Sequence, residues 1–92
     1  MMHDKARIRA AKLQMRRILL EEWDPIGIAD EPLAQDEYDS YLGHIYDLLS
    51  RSASEAEIAR HLNQIETVSM GMSERSSDKL ISVAKSLRQI PL

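Results

Sequence analysis

The sequence contains no cysteine and no phenylalanine, and it has only one tryptophan, three tyrosines, three glycines and three prolines. Without cysteine the chain can form neither a disulfide framework nor a thiolate zinc site, and it has no cysteine nucleophile. This composition fits a reducing compartment, so we expect a cytoplasmic protein. Because aromatic residues are scarce, the core has to be built mainly from leucine, isoleucine, methionine, valine and alanine.

Long hydrophobic runs are also missing. The basic N-terminal region contains no continuous apolar stretch, so we expect neither a secretory signal nor a membrane span. Ninety-two residues suit a single domain with one core. A composition of 43% hydrophobic and 29% charged residues is typical of a folded globular chain and argues against wholesale disorder.

The net charge of −3 conceals a strong segregation of charge along the chain. Residues 1–20 carry a net charge of +5, residues 21–47 carry −9 without any lysine or arginine, and residues 48–92 carry +1. The chain therefore joins a basic beginning to an acidic middle.

Apolar residues recur at helical spacing, and no strand-like alternation of useful length occurs. The pattern predicts an all-α fold, a compact bundle of about four helices around a single core, with residues 1–92 as one domain. The predicted elements are a basic first helix over residues 4–22 with Asp4 as its N-cap, a second helix starting between residues 30 and 36, a third starting after Ser54, and a fourth over about residues 76–89.

The only tryptophan precedes the stop of the first helix, where Pro25 disfavours continuation. We expect Trp23 to close the end of the core, and Asp24 to bond the backbone two residues further on in an Asx-turn. Tyr38 and Tyr41 should pack their rings inward. Tyr46 lies off the centre of the apolar face and is a candidate for an exposed contact residue.

The third helix has the clearest start signal. Ser54 and Glu57 fit a capping box, in which the serine side chain caps the helix and the glutamate reaches back. Gly71 is expected at the position after its C-cap. Its predicted apolar face contains Ile58, Leu62, Ile65 and either Val68 or Ser69.

Three segments also resemble a known family: ILLEEWDPIGI at residues 18–28, DEYDSYLGHIYDLL at residues 36–49 and IETVSMGM at residues 65–72. The family comprises small, all-helical bacterial proteins of unknown function, marked by a W-D-P-x-G turn, a D-E-Y-D-x-Y helix start and a closing M-G. The resemblance covers residues 18–72. It implies a compact helical domain in a bacterial cytosol, and it brings no assigned chemistry.

The acidic cluster admits several interpretations. Helix capping and a solvated face explain most acids of this kind; a partner-binding surface is the next alternative, and a metal or carboxylate site would need several side chains to converge on one point. The calcium-loop spacing D-x-D-x-D-G is missing. The cluster comprises Asp24, Asp30, Glu31, Asp36, Glu37 and Asp39, and the residues that we select as partner-binding candidates are Asp24, Asp36, Glu37, Asp39 and Tyr46.

The first helix carries a cationic ridge at steps of four, three and four residues. It is short and lacks interleaved aromatic residues, so we favour pairing with the protein's own acidic middle, within one chain or across a homodimer, over nucleic-acid binding. His44 and His61 could hold zinc together with a carboxylate, but no zinc-binding spacing supports this, and we expect no metal or cofactor. The ridge consists of Lys5, Arg9, Lys12 and Arg16.

Two classes of function stay open. The first is a non-enzymatic protein-interaction module whose acidic surface meets a basic protein, for example an immunity-type or regulatory inhibitor. The alternative is a small metal-dependent or carboxylate-based enzyme that uses acids of the cluster with His44 or His61. A weak nucleic-acid binder acting through the basic first helix ranks third.

Overall fold

The computed structural model describes residues 5–72 and 77–92. In these two ranges the chain is all-helical and contains no strand, which confirms the predicted fold class. The radius of gyration is 12.9 Å, close to the roughly 12 Å expected of a compact chain of this length. The α-helices are α1 (Lys5–Ile18), α2 (Leu42–Ser50), α3 (Glu55–Gln64) and α4 (Ser77–Arg88).

Two of these helices end in a π-helical turn, a wider turn that is frequent at functional sites. The turn Leu19–Trp23 continues α1, and the turn Ile65–Ser69 continues α3. Each turn is closed by a backbone hydrogen bond to the carbonyl five residues earlier. In the first turn the Asp24 N–H donates to the Leu19 carbonyl at 2.7 Å, and in the second the Met70 N–H donates to the Ile65 carbonyl at 3.0 Å. The first helical run therefore ends within one residue of the predicted position, while the predicted N-cap Asp4 lies outside the described residues.

The prediction for the second helix is wrong at its start, because α2 begins only at Leu42. Residues 30–41 instead form a series of tight turns, including the 3₁₀ turns Pro32–Ala34 and Asp39–Tyr41. Their backbone N–H groups bond three residues back, as from Tyr41 to Tyr38 at 3.1 Å, and not four. Residues three apart are eclipsed in such turns, so both tyrosines can face Trp23.

At the third helix the predicted N-cap and the glycine after the C-cap are confirmed, whereas the Glu57 side chain makes no return hydrogen bond to Ser54 within the described residues. The Glu57 N–H donates to the Ser54 hydroxyl at 3.1 Å, so Ser54 is the N-cap. Gly71 follows the C-cap with a φ of 65°, a left-handed conformation that glycine adopts without strain. Val68 is 77% exposed and Ser69 is exposed as well, so neither of the two predicted residues belongs to the buried face.

The fourth helix agrees with its prediction over residues 77–88, and residue 76 lies outside the described part of the chain. α3 and α4 pack against each other, α1 contacts both α2 and α4, and the π-helical turn that continues α1 also contacts α4. All four helices contribute to one core. Trp23 is 1% exposed and belongs to this core, so the expected burial of its ring is confirmed. Within the described ranges, no helix is long and apolar enough to cross a lipid bilayer.

Candidate functional site

The turn after Trp23 is organised around the side chain of Asp24. Its backbone is left-handed, with a φ of 31°. One carboxylate oxygen accepts from the Ile28 N–H at 2.8 Å and from the Tyr38 hydroxyl at 2.9 Å, and the other accepts from the Ala29 N–H at 3.1 Å. The expected bond two residues ahead is therefore corrected to bonds four and five residues ahead, which close a wider loop.

The same contacts determine the ionisation of Asp24. Burial opposes ionisation and is the largest single influence, but the hydrogen bonds from Ile28, Tyr38, Ala29 and Gly27 together outweigh it and lower the pKa of Asp24 below 3.8. The carboxylate is thus ionised at neutral pH, and three donors of its own chain already occupy its two oxygens. Such a group stabilises a turn and is a poor general base.

A buried carboxylate that the sequence reasoning missed lies beside this turn. Glu66 is 0% exposed, and its carboxylate accepts from the Trp23 indole N–H at 2.6 Å. The hydrogen bond joins the two π-helical turns across the core. A signal existed, since Glu66 lies four residues after Leu62 and therefore on the buried side of its helix, and a buried tryptophan needs an acceptor.

The aromatic side chains pack around Trp23. The ring centroids of Trp23 and Tyr38 are 5.2 Å apart, and those of Trp23 and Tyr41 are 6.3 Å apart with the rings nearly perpendicular. Both inward-facing tyrosines are therefore placed as expected. Tyr46 is half-buried and packs against the core, so the expectation that it is exposed is wrong.

The acids that follow the turn are arranged differently. We call residues 30–37 the acidic segment; Asp30, Glu31, Asp36 and Glu37 are all exposed. At its centre Leu33 is 95% exposed, the largest exposure of any large apolar side chain in the described residues.

The acidic segment is held from within, although its charged side chains point to solvent. The Gln35 amide donates to the Ala29 carbonyl at 3.1 Å and to the Glu31 carbonyl at 2.8 Å. The Ala34 N–H donates to the same Glu31 carbonyl at 3.1 Å. These bonds fix the turn that carries Leu33, so the leucine is presented on an ordered backbone.

One member of the cationic ridge pairs with the acidic middle of the same chain. Arg16 binds Asp39 through two parallel hydrogen bonds, one of them 2.9 Å long between Nε and a carboxylate oxygen. The hydrogen bond to Asp39 raises the pKa of Arg16, and the charges of Asp39 and Asp36 add to the effect. Across residues 5–72 and 77–92, the remaining ridge residues Lys5, Arg9 and Lys12 form no ion pair.

These cations line a groove of about 460 Å³ between α1 and the start of α2, which we call the cationic groove. Its volume lies within the range of about 300–1,000 Å³ typical of ligand sites. Its apolar lining includes Leu13, which is 53% exposed. The full lining is Lys5, Ile8, Arg9, Lys12, Leu13, Arg16, Asp39, Leu42 and Gly43.

A second, smaller hollow of about 240 Å³ lies beside the cationic groove. Leu13 and Arg16 line both depressions, so they form the boundary between them. The second hollow is also lined by Ala29, which precedes the acidic segment, and by Gln35, which lies within it. The cationic groove and the acidic segment are therefore neighbours on the surface.

The structure brings the two histidines together, with ring centroids 4.2 Å apart. Burial lowers the pKa of His61, and the charge of His44 lowers it further. The Nε2 atom of His61 is buried and has no hydrogen-bond partner among the described residues. Within the same residues, no group of three histidine or carboxylate side chains is arranged to hold a metal ion.

The partner-binding candidates are thus separated into two groups. Asp24 and Asp39 are engaged by donors of their own chain, whereas Asp36 and Glu37 lie exposed in the acidic segment. The sequence reasoning missed Leu33, whose signal was an apolar residue in a short acidic connection.

Comparisons of the chain with protein-family models, with curated proteins and with solved structures find no match. The resemblance to the family of small bacterial proteins marked by the W-D-P-x-G turn stays a prediction.

Proposed function

We propose that this protein is a non-enzymatic interaction module, and that it presents Leu33 within the acidic segment to a partner protein. A single exposed leucine is ordinary on a protein surface. This one differs because it is 95% exposed, flanked by four exposed acids and fixed on a turn held by the Gln35 amide. Ordering before binding lowers the entropic cost of association. This presented leucine is the observation that carries the proposal.

The chemistry of the segment specifies the partner surface. An apolar pocket would receive Leu33, and lysine or arginine residues at its rim would face the four acids. Charges arranged in this way accelerate encounter with a basic protein. A specific version is an immunity-type or regulatory inhibitor, in which the acidic segment covers the basic substrate site of an enzyme such as a nuclease.

A carboxylate enzyme is less well supported by the geometry. Asp24 has its oxygens occupied by three donors, and Asp39 is bound to Arg16. The acids that remain accessible, such as Asp36 and Glu37, are exposed to water. Catalytic carboxylates usually lie in concave sites that are partly shielded from water.

The test is affinity capture from an extract of the source organism, with each captured protein identified, purified and titrated calorimetrically. We compare the wild-type chain with Leu33→Ser and with a segment-reversed variant that combines Glu31→Lys and Glu37→Lys. Val68→Ser is the matched control, because Val68 is also exposed and apolar but lies outside the acidic segment.

We expect a basic protein that binds the wild type and the Val68 control equally. Its affinity should fall about tenfold or more in Leu33→Ser, the loss typical of a central contact residue. The segment-reversed variant should not bind it. Capture of the same proteins by all four chains, with equal affinities, would refute the proposal.

A further inference from the structure

The proposed function leaves the cationic groove unused. Arg9 and Lys12 stand on its rim without an ion pair in the described residues, and Leu13 is exposed on its wall. Among the acids of residues 5–72 and 77–92, one pairs with a ridge residue, since Asp39 neutralises Arg16. A groove with an apolar wall and unpaired cations suits an acidic segment that carries an apolar side chain.

We propose that the cationic groove of one copy receives the acidic segment of a second copy, so that the protein self-associates. Leu33 would pack against Ile8 and Leu13, and the acids on either side of it would face Arg9 and Lys12. The two surfaces are complementary. The acidic segment presents an exposed leucine among anions, and the cationic groove presents an apolar depression among cations.

The segment of the same chain does not fill this groove. The hydrogen bonds of Gln35 and the ion pair between Arg16 and Asp39 hold the segment on the far side of the boundary formed by Leu13 and Arg16. Leu33 accordingly remains almost completely exposed. The groove and the segment of one copy are occupied only when another copy supplies the counterpart.

The adjacent placement of groove and segment favours a closed dimer. Because both surfaces border on Leu13 and Arg16, a twofold axis near this boundary brings each segment to the groove of the other copy. The dimer covers both cationic grooves and both acidic segments, so no such surface is left to bind a third copy. Since exposed charges make the contacts, added salt should weaken it.

Self-association would also regulate the proposed function, because it covers the acidic segment that a basic partner needs. This regulatory role rests on the proposed function, whereas self-association itself does not. Leu33 would be covered in the dimer and would become accessible when a partner protein displaces the second copy.

The test is sedimentation equilibrium of the full chain between about 1 and 300 µM, the range in which weak complexes dissociate. It uses the segment-reversed variant, Glu31→Lys with Glu37→Lys, and a groove-reversed variant, Arg9→Glu with Lys12→Glu. Asp36 stays unchanged because its charge acts on Arg16. The matched control, Lys79→Glu with Lys85→Glu, makes the same charge change on exposed positions of α4.

We expect the wild type and the control to dimerise, with at least tenfold weaker association when the salt rises from about 0.05 to 0.5 M. Each reversed variant alone should be monomeric. Glu31→Lys with Glu37→Lys brings the net charge of the acidic segment from −4 to 0 and places two cations against Arg9 and Lys12, and Arg9→Glu with Lys12→Glu places two anions against the unchanged acids. An equimolar mixture of the two variants should form a heterodimer, since each reversed surface meets its opposite. Recovery in the mixture also shows that both variants are folded.

A wild type that stays monomeric over the whole range would overturn the proposal, and so would a mixture that fails to associate. A monomeric chain that binds an oligonucleotide through Arg9 and Lys12 would overturn it in favour of nucleic acid. The groove-reversed variant keeps its acidic segment, so capture of a basic partner by this variant tests the proposed function separately. Failure of one proposal therefore does not imply failure of the other.

Discussion

The turn around Trp23 and the acidic segment are neighbours in sequence, yet they use their carboxylates in opposite ways. In the turn, Asp24 accepts three hydrogen bonds from its own chain, and Glu66 is buried against the indole of Trp23. In the segment, the acids face water around an exposed Leu33. Acid density along the chain is similar in both regions, so the position of hydrogen-bond donors decides which carboxylates stabilise the fold and which form a surface.

The turn around Trp23 and the acidic segment should differ most in the free energy of unfolding that is lost when an acid of each region is replaced, and Glu66 should show the largest loss. We expect Glu66→Leu to lower the free energy of unfolding by about 2–3 kcal/mol, because the buried Trp23 N–H loses its acceptor. Glu37→Leu, in the acidic segment, should change it by no more than about 0.5 kcal/mol. Urea denaturation at pH 7 measures both values, and equal effects would mean that burial does not distinguish the two acids.

A double-mutant cycle of Trp23→Phe and Glu66→Leu isolates the hydrogen bond from the loss of ring volume. The double variant should be more stable than the sum of the single effects predicts by about 0.5–3 kcal/mol, since it leaves neither polar group unpaired. An additive cycle would show that the indole N–H and the carboxylate do not interact.

The second prediction concerns Asp24. Asp24→Ala should cost about 1–2 kcal/mol, because the N–H groups of Ile28 and Ala29 and the Tyr38 hydroxyl lose an acceptor, although water can reach part of the turn. Asp24→Asn should cost less, since asparagine keeps one acceptor and tolerates the left-handed backbone. Urea denaturation of the three chains at neutral pH checks this order.

The pH dependence should separate Asp24 from the exposed acids. Its folded pKa lies below the ordinary 3.8, so its stabilisation is present at neutral pH and is lost as the pH falls from 3.8 through the folded value. Wild-type stability should therefore fall over this window more steeply than that of Asp24→Asn. Parallel curves would contradict the hydrogen-bonded, ionised state of the carboxylate.

The two regions also differ in how well the sequence predicts them. Local signals predict the stop at Pro25, the cap at Ser54 and the turn at Gly71, because each depends on neighbouring backbone groups. The start of α2 was missed, because acids and a proline in residues 30–36 resemble a helix start. The outcome there depends on the tertiary contact between Tyr38 and the turn at Asp24.

The candidate sites show the same limit. The spacing of the cationic ridge predicts one charged face, and the structure places its residues along one groove. The sequence does not show that Arg16 is the ridge residue that pairs with an acid in the described part of the chain, since this depends on where Asp39 lies in space. Glu66 and Leu33 were missed because Glu66 is a charged residue in the core and Leu33 is an apolar residue on the surface. Charged residues are normally expected to be exposed and leucines to be buried.

The third prediction tests the ion pair at the boundary of the two regions. A double-mutant cycle of Arg16→Ala and Asp39→Ala should give a coupling energy of about 0.5–1 kcal/mol, the upper part of the range for partly exposed pairs, because the two hydrogen bonds are parallel. The matched control is the ion pair of Asp47 and Arg51. This pair is more exposed, and its residues are four apart at the C-terminal end of α2. Its coupling should be about 0.3 kcal/mol. A larger coupling in the control would contradict the special role of the Arg16 pair.

The smallest expected effect on stability belongs to Leu33. Leu33→Ser should change the free energy of unfolding by no more than about 0.5 kcal/mol, since a side chain that is 95% exposed has almost no area to lose from the core. The same substitution should weaken self-association measurably in sedimentation experiments at equal protein concentration, while Val68→Ser leaves it unchanged. A variant that is strongly destabilised would show that Leu33 packs within its own chain, and the acidic segment would then belong with the turn as part of the scaffold.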